Sequence, residues 1–273
     1  MRSTVFCFAA LSDEPTGGTP VPRGMGVPPM SEEECSKTKG RAMRFRTFLF
    51  DLDGTLIDHL HAIHRSYSHT LPQLGYPAPT LEQVRRAIGG GLENAMRKFV
   101  PESRLAEALA IYQPYWDETM LDDVELLPGA RELLAGLNER GATCAVFTNK
   151  HGPSSRRVCE HLGIAPLLRA VYGATDTPWV KPQPEYAARV LAALGADAAS
   201  TLLVGDSPFD VQAARNGGFA ACWCVTTGTH DAEELRAAGA DRIFAGLGAV
   251  HRPARLILAP QADRGGARCP QRA

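Results

Sequence analysis

From residue 45 onwards the chain alternates between two hydrophobic patterns, short apolar runs typical of buried strands and amphipathic segments typical of helices. The predicted strands lie at 45–50, 143–147, 170–172, 201–204, 220–225 and 242–244. The predicted helices among them lie at 131–140, 154–162, 184–194, 210–216 and 232–238. This alternation predicts an α/β fold, a Rossmann-like parallel sheet with helices on both faces.

The region after the first strand contains only helical patterns. Residues 59–74, 81–88, 92–100 and 105–119 carry helical spacing, and proline or glycine, including the run Gly89-Gly90-Gly91, occupies the gaps. Short helices joined by tight turns predict a small α-helical bundle. We therefore expect a helical cap domain at residues 59–127, inserted into a core formed by residues 44–58 and 128–250.

Both ends of the chain lie outside these patterns. Residues 1–43 are rich in proline and glycine and contain too little apolar surface to offset the entropy cost of ordering, so we expect a disordered N-terminal extension. Met43 directly precedes the first predicted strand, which suggests that the functional product begins near it. Residues 251–273 are rich in arginine, proline and glycine and are expected to form a loose tail.

Composition and charge narrow the class of partner. The chain has 29 basic and 30 acidic residues, a net charge of −1, and this balance argues against nucleic acid and against an anionic membrane. No apolar run reaches the roughly 18 residues of a membrane span. The seven cysteines are odd in number and scattered, as expected of free thiols in a reducing, cytoplasmic compartment. We expect a small-molecule partner, and a monomer or homodimer.

Two carboxylates end the first predicted strand. Asp51 and Asp53 follow the apolar run, and Gly54 lets the backbone turn sharply. Ligands of α/β folds bind at the carboxyl ends of strands. Like charges this close are costly unless a cation holds them, and oxygen-rich sites suit Mg²⁺. The alternative is an ordinary strand-to-turn junction, where aspartate and glycine are common.

Three further segments carry polar groups at predicted strand ends. Thr148 and Asn149 follow the second strand, where a hydroxyl and turning backbone could bind an anion or simply cap a helix. Lys181 lies between a predicted strand and a predicted helix, next to Pro182 and Pro184, which would fix its position, although most lysines are solvated. Asp206 and Asp210 flank a helix start. Together these groups would converge on one crevice suited to a divalent cation and a phosphate.

The set Asp-x-Asp-Gly-Thr, Thr-Asn-Lys, Lys-Pro and Gly-Asp-Ser-x-x-Asp, spread over residues 45–210, resembles the four motifs of the haloacid dehalogenase superfamily, most of whose members are phosphatases. The helical insertion is similar to the small α-helical cap of that family. Phosphoglycolate phosphatases share the closest pattern, including the glycine-rich loop and Lys-Pro-x-Pro. One departure is His59, where many relatives carry serine.

The resemblance implies a role for each acidic residue. Asp51 would be the nucleophile that forms an aspartyl-phosphate and would also bind Mg²⁺. Asp53 would be the general acid and base, with its main-chain carbonyl on the metal, and this dual role requires a pKa nearer neutrality than that of a free aspartate. Asp206 would bind the metal, and Asp210 would support it directly or through another ligand.

The resemblance also implies residues that bind the substrate. Thr148, the backbone around Asn149, and Lys181 would contact the phosphoryl oxygens, and Lys181 would thereby take part in catalysis. The cap would close over the crevice and contribute the loop that contains Gly90 and Gly91.

Taken together, the sequence predicts a Mg²⁺-dependent phosphatase of a small phosphorylated metabolite, phosphoglycolate or a similar monoester. A sugar-phosphate mutase, or a pyrophosphate or phosphonate hydrolase, is an alternative on the same scaffold. Phosphonate hydrolases of the superfamily form a Schiff base with a cap lysine, and Lys98 is the only lysine in the predicted cap. A non-catalytic module that binds a phosphorylated ligand would be expected to lack one or more of Asp51, Asp53, Lys181 and Asp206, and all four are present.

Overall fold

The computed structural model describes residues 45–256, with side chains to His251. The predicted N-terminal extension at 1–43 and the tail beyond residue 256 lie outside the described residues. The strands are β1 (Thr47–Phe50), β2 (Ile57–Asp58), β3 (Glu125–Leu126), β4 (Thr143–Phe147), β5 (Ala170–Tyr172), β6 (Thr201–Gly205), β7 (Ala221–Val225) and β8 (Arg242–Phe244). The helices are α1 (Leu60–Gln73), α2 (Leu81–Arg85), α3 (Leu92–Met96), α4 (Glu102–Thr119), α5 (Ala130–Asn138), α6 (Gly152–His161), α7 (Pro184–Leu194), α8 (Pro208–Asn216), α9 (Ala232–Ala238) and α10 (Leu247–Leu256).

A six-stranded sheet in the order β5-β4-β1-β6-β7-β8 forms the centre of the fold. Every pair of neighbouring strands in it is parallel. Strand β1 lies between β4 and β6, with Phe50 opposite Val146 on one side and Val204 on the other. The predicted parallel sheet is confirmed.

The side chains of β1 show why helices cover both faces of the sheet. Phe48 and Phe50 point into one hydrophobic cluster, which includes Leu133 of α5, while Leu49 points into another, which includes Val190 of α7. Successive residues of a strand face opposite sides, so a strand that is apolar throughout needs a helical layer on each face. Full burial of each such side chain stabilises the fold by roughly 1.5–3 kcal/mol.

Helices α1 to α4 share a hydrophobic cluster of their own, which we call the helical insertion core and which includes Tyr67, Met96 and Trp116. The insertion leaves the sheet through β2 and returns through β3, and these two-residue strands pair antiparallel to each other. The sequence patterns predicted neither strand. They also extended α2 and α3 too far, because tight turns with i→i−3 hydrogen bonds follow both helices.

The structure also differs from the sequence prediction at the last helix. A loose tail was expected from residue 251, whereas α10 runs from Leu247 to Leu256. Leu247 and Val250 are buried in the core cluster, and their i, i+3 spacing explains how one face of this helix packs. Among residues 45–256, no helix combines the length and apolar character that crossing a bilayer requires.

Candidate active site

Three adjacent strands deliver polar side chains to one edge of the sheet. Asp51 follows β1, Thr148 follows β4 and Asp206 follows β6. The Asp51 N–H still donates to the Val204 carbonyl at 2.9 Å, so the first carboxylate leaves the sheet at a fixed position. Because the strands are parallel, the predicted convergence of these residues at the carboxyl edge follows directly from the strand order.

Asp51, Asp206 and Asp210 form what we call the carboxylate cluster. One carboxylate oxygen from each lies within 4.8 Å of the others, and the three residues are 7%, 3% and 0% exposed. The Thr55 hydroxyl donates to Asp206 Oδ1 at 2.9 Å, and the Thr229 N–H donates to Asp206 Oδ2 at 3.2 Å. The cluster is thus buried and oriented by neighbouring loops.

Asp210 differs from the other two because both of its oxygens are occupied. Oδ2 accepts hydrogen bonds from the Ser207 hydroxyl at 2.6 Å and from the N–H groups of Ser207 and Asp206 at 3.1 and 3.2 Å. Oδ1 accepts from Lys181 Nζ at 2.7 Å. Ser207 is the N-cap of α8, and Asp210 completes its capping box. Asp210 therefore orients its neighbours.

Lys181 lies beneath the carboxylate cluster. Its ammonium is 2.9 Å from Asp51 Oδ1 and 2.7 Å from Asp210 Oδ1. Asn149 fixes its backbone, accepting from the Lys181 N–H at 2.8 Å and donating to the Lys181 carbonyl at 3.1 Å. Lys181 is only 2% exposed, so the alternative of a solvated surface lysine is wrong. It does not line the cavity described below and reaches the site through Asp51.

The electrostatics of the carboxylate cluster favour a bound cation. Burial, and secondly the charges of Asp51 and Asp210, raise the pKa of Asp206 well above its ordinary value. Burial raises the pKa of Asp51 more than Lys181 lowers it, and Asp51 Oδ1 has no well-directed hydrogen bond although the ammonium is near. Burial lowers the pKa of Lys181, but the two carboxylates raise it further, so it stays charged. Three carboxylates facing one ammonium can hold a metal ion.

Asp53 stands apart from the carboxylate cluster. Its carboxylate accepts from Lys150 Nζ at 2.9 and 3.1 Å, and His59 Nδ1 is 3.4 Å from Oδ1. Burial raises the pKa of Asp53, but the Lys150 ammonium and His59 together lower it by more, so the pKa lies below its ordinary value. The expectation of a pKa nearer neutrality is therefore wrong for this state of the protein. The role of the Asp53 carbonyl as a metal ligand stays a prediction.

Sequence reasoning assigned no role to Lys150 or Trp116. Lys150 Nζ lies 4.5 Å from the centre of the Trp116 ring, a cation–π contact, and the His59 ring packs 4.8 Å from the same ring. His59, the residue that departs from the family pattern, is buried and only 1% exposed. Lys150 belongs to the Thr-Asn-Lys motif and could have been noticed, whereas nothing in the sequence indicates that Trp116 would reach it.

The glycine loop of the insertion contacts the core. The Gly89 carbonyl accepts from Asn149 Nδ2 at 3.2 Å, and Gly91 lines the cavity. Gly90 does not line it, and a Cβ on Gly90 would lie 3.3 Å from the Phe209 ring of α8. The structure therefore brings Gly91 to the site, while Gly90 packs against the core.

A cavity of about 200 Å³ opens between the sheet edge and the helical insertion. Its floor includes Asp51, Asp53, Thr148 and Asp206, and its opposite side is formed by residues of α1, α3 and α4. The predicted nucleophile Asp51, the second acid Asp53 and the cluster member Asp206 therefore line one cavity, opposite a surface that could contact a leaving group.

Comparison with known proteins agrees with this architecture. The model of the haloacid dehalogenase-like hydrolase family matches residues 48–224. The chain is 34% identical to the probable phosphatase IndB of Dickeya dadantii (strain 3937), over 78% of this chain and 96% of the relative. It is 32% identical to a plasmid-borne phosphoglycolate phosphatase of Cupriavidus necator, over 77% of this chain and 95% of the relative. The crystal structure of a predicted phosphoglycolate phosphatase from Haemophilus somnus 129PT has the same fold. The two are 24% identical, the match covers 77% of this chain and 97% of that chain, and the TM-score is 0.71.

Proposed function

The chain belongs to the haloacid dehalogenase-like hydrolase family, and on this premise we propose that it is a Mg²⁺-dependent phosphatase that hydrolyses a small phosphate monoester through an aspartyl-phosphate intermediate. One observation carries the proposal: Asp51 and Asp206, two members of the buried carboxylate cluster, line the same cavity as the second acid Asp53. Relatives named phosphoglycolate phosphatases make phosphoglycolate the first compound to assay.

Asp51 and Asp206 would hold the metal ion, and Asp210 would orient them. Asp51 Oδ1 lacks a directed hydrogen bond, and Asp206 retains a raised pKa that a cation would reverse. Mg²⁺ prefers oxygen ligands and keeps several waters, so it needs few protein groups. When bound, it would neutralise the cluster and let an anionic ester approach an anionic nucleophile.

The covalent step assigns a role to each remaining residue. An Asp51 oxygen forms a bond to phosphorus while the bond from phosphorus to the ester oxygen breaks, and the leaving alkoxide takes a proton from Asp53. Water then hydrolyses the aspartyl-phosphate, with Asp53 accepting its proton. A phosphate dianion entering the cavity raises the pKa of Asp53, because like charge disfavours the carboxylate. The Thr148 hydroxyl and the backbone around Asn149 would bind the phosphoryl oxygens.

The position of Lys98 argues against the phosphonate hydrolase alternative. Its ammonium donates to the carbonyls of Arg86 and Ala87 at 2.8 and 3.3 Å, and it does not line the cavity. A Schiff base to a substrate in the cavity would need that amine to leave both carbonyls. We keep the monoester phosphatase as the proposed activity and infer a cytoplasmic location, which the free, buried thiols of the described cysteines support.

The test is a panel of phosphate monoesters, phosphoglycolate first, with the purified full chain in Mg²⁺ and in EDTA. We expect phosphate release that depends on Mg²⁺, no turnover by Asp51→Asn, and strongly impaired turnover by Asp53→Asn, with circular dichroism showing that both variants fold. Mass spectrometry of rapidly quenched Asp53→Asn should find the phosphoryl group on Asp51. Near-normal turnover by folded Asp51→Asn would refute the covalent route.

A further inference from the structure

The surface of the cavity that faces the sheet edge is apolar and aromatic. We call it the aromatic wall, and it consists of Ile63, Tyr67, Leu92, Tyr112 and Trp116. Ile63 and Tyr67 are i, i+4 neighbours on α1, and Tyr112 and Trp116 are i, i+4 neighbours on α4, so each helix presents one face to the cavity. A leaving group that extends away from Asp51 would meet this wall.

The charged groups around the wall do not suit an anionic leaving group. Among the described residues that line the cavity, Arg85 and Lys150 carry permanent positive charges, and both are already paired. Arg85 lies 3.5 Å from Glu82 and donates to the Gly228 carbonyl at 3.3 Å. Lys150 is paired with Asp53 at 2.9 Å. A substrate carboxylate would have to compete for these cations.

The other titratable side chains that line the cavity also do not suit an anionic leaving group. Asp58 lines the cavity and would repel a carboxylate. His59 and His151 also line it, and both imidazoles already have polar partners within the protein. His59 lies 3.4 Å from Asp53 and 2.5 Å from the Met120 carbonyl, and His151 lies 2.9 Å from the Ser154 hydroxyl, so an anionic group would have to compete for each of them.

One polar atom in the wall lacks a partner. The Tyr67 hydroxyl is buried and makes no hydrogen bond, while Tyr67 as a whole is 1% exposed. The neighbouring Tyr112 differs, because it has Ser66 as a hydrogen-bond partner. A buried hydroxyl without a partner is unfavourable, and a ligand with a matching polar atom would supply the missing hydrogen bond.

We propose that the aromatic wall makes this enzyme selective for phosphate monoesters of uncharged alcohols that carry a flat apolar body and a hydrogen-bonding atom for Tyr67, in preference to phosphoglycolate. The inference rests on the proposed phosphatase function and specifies its substrate class. The flat body would pack on the wall, where burial of apolar surface favours binding, and the polar atom would bond the Tyr67 hydroxyl.

Substrates with similar leaving alcohols separate recognition from chemistry. Benzyl phosphate, ethyl phosphate and phosphoglycolate are all esters of primary alcohols, so differences in kcat/KM for the full chain with Mg²⁺ report contacts of the leaving group. We expect kcat/KM for benzyl phosphate to exceed that for each of the other two at least tenfold. Equal or higher kcat/KM for phosphoglycolate would overturn the inference and leave the phosphatase proposal intact. Absence of hydrolysis of every ester, p-nitrophenyl phosphate included, would overturn both.

Two variants test the wall itself. Leu92→Arg places a cation on it and should lower the ratio of kcat/KM for benzyl phosphate over phosphoglycolate at least tenfold, whereas Ala110→Arg, exposed on α4 and outside the cavity lining, should leave the ratio unchanged. The three isomeric pyridylmethyl phosphates replace one ring carbon of benzyl phosphate with a nitrogen that can accept a hydrogen bond from Tyr67. For the best of the three, Tyr67→Phe should lower the ratio of its kcat/KM to that of benzyl phosphate at least fivefold. If Leu92→Arg leaves the ratio of benzyl phosphate to phosphoglycolate unaltered, the proposed role of the aromatic wall is wrong. If Tyr67→Phe leaves the ratio of pyridylmethyl phosphate to benzyl phosphate unaltered, the proposed role of the Tyr67 hydroxyl is wrong.

Discussion

Replacing Lys181 by methionine removes the ammonium that contacts two members of the carboxylate cluster. The lysine is 2% exposed, with Asp51 Oδ1 at 2.9 Å and Asp210 Oδ1 at 2.7 Å. Methionine has a similar length and fills most of the same volume, so the change removes the charge with little cavity formation. The buried carboxylates would then face one another with the nearest compensating charge gone.

The expected cost is large. Breaking a buried ion pair by removing one partner destabilises a protein by about 3–5 kcal/mol. At about 2–4 °C per kcal/mol for a domain of this size, the melting temperature without metal should fall by about 6–20 °C. The raised folded pKa of Lys181 means that its contribution is fully present below its unfolded pKa and is lost only as pH rises through the folded value. The loss should also shrink towards acid, as the carboxylates with raised pKa take up protons.

Thermal unfolding followed by circular dichroism at pH 7, in EDTA and in Mg²⁺, measures this effect. Mg²⁺ should stabilise Lys181→Met more than the wild type, because a cation replaces part of the missing charge. Lys98→Met is the matched control, since Lys98 makes exposed and partly buried contacts to carbonyls, and it should cost about 1 kcal/mol or less. A melting temperature of Lys181→Met within about 2 °C of the wild type in EDTA would contradict the electrostatic account.

Three further outcomes are expected. Affinity for Mg²⁺, measured by calorimetry, should fall as pH drops through the raised pKa values of Asp51 and Asp206, which lie above the ordinary aspartate value of about 4; equal affinity at pH 8 and at the lowest pH at which the protein stays folded would argue against this site. Lys150→Met should shift the alkaline limb of the kcat/KM profile to higher pH, because Asp53 must be protonated to act as the general acid and loses the charge that lowers its pKa; an unmoved alkaline limb would exclude Asp53 as its source. Gly205→Ala should unfold the protein or abolish Mg²⁺ binding, because its Cβ would lie 2.2 Å from Asp210 Cγ, while Gly248→Ala, with open space around it, should behave like the wild type in melting and calorimetry.

Much of this fold follows from local patterns. The apolar strand β1 ends on Asp51, and the strand order alone brings it beside Thr148 and Asp206. Continuous apolar runs indicate such strands well because β1, β6 and β7 are buried along their whole length. The pair of β2 and β3 was missed, since two residues carry no measurable period and its partners lie far apart in sequence.

The candidate site could be predicted only in part, because contacts between residues distant in sequence are not visible in local patterns. Charges that share a motif could be located from the sequence, but their partners depend on the tertiary packing. Lys150 pairs with Asp53 across 97 residues and reverses the expected direction of its pKa shift. Trp116 contacts both Lys150 and His59 from helix α4, far from either residue in sequence. The aromatic wall is likewise assembled from three helices, whose relative placement the sequence patterns do not specify.

The pairing of β2 with β3 has a consequence for how the molecule could move and vary. Ile57 is opposite Leu126, and Asp58 is opposite Glu125, so the segments that enter and leave the helical insertion are paired side by side at one place. Because the helical insertion is joined to the core through this one two-stranded connection, a hinge rotation about β2 and β3 is easier than a sliding motion. The helical insertion can therefore swing, lengthen or be exchanged, while Asp51, Thr148 and Asp206 stay at the edge of the central sheet.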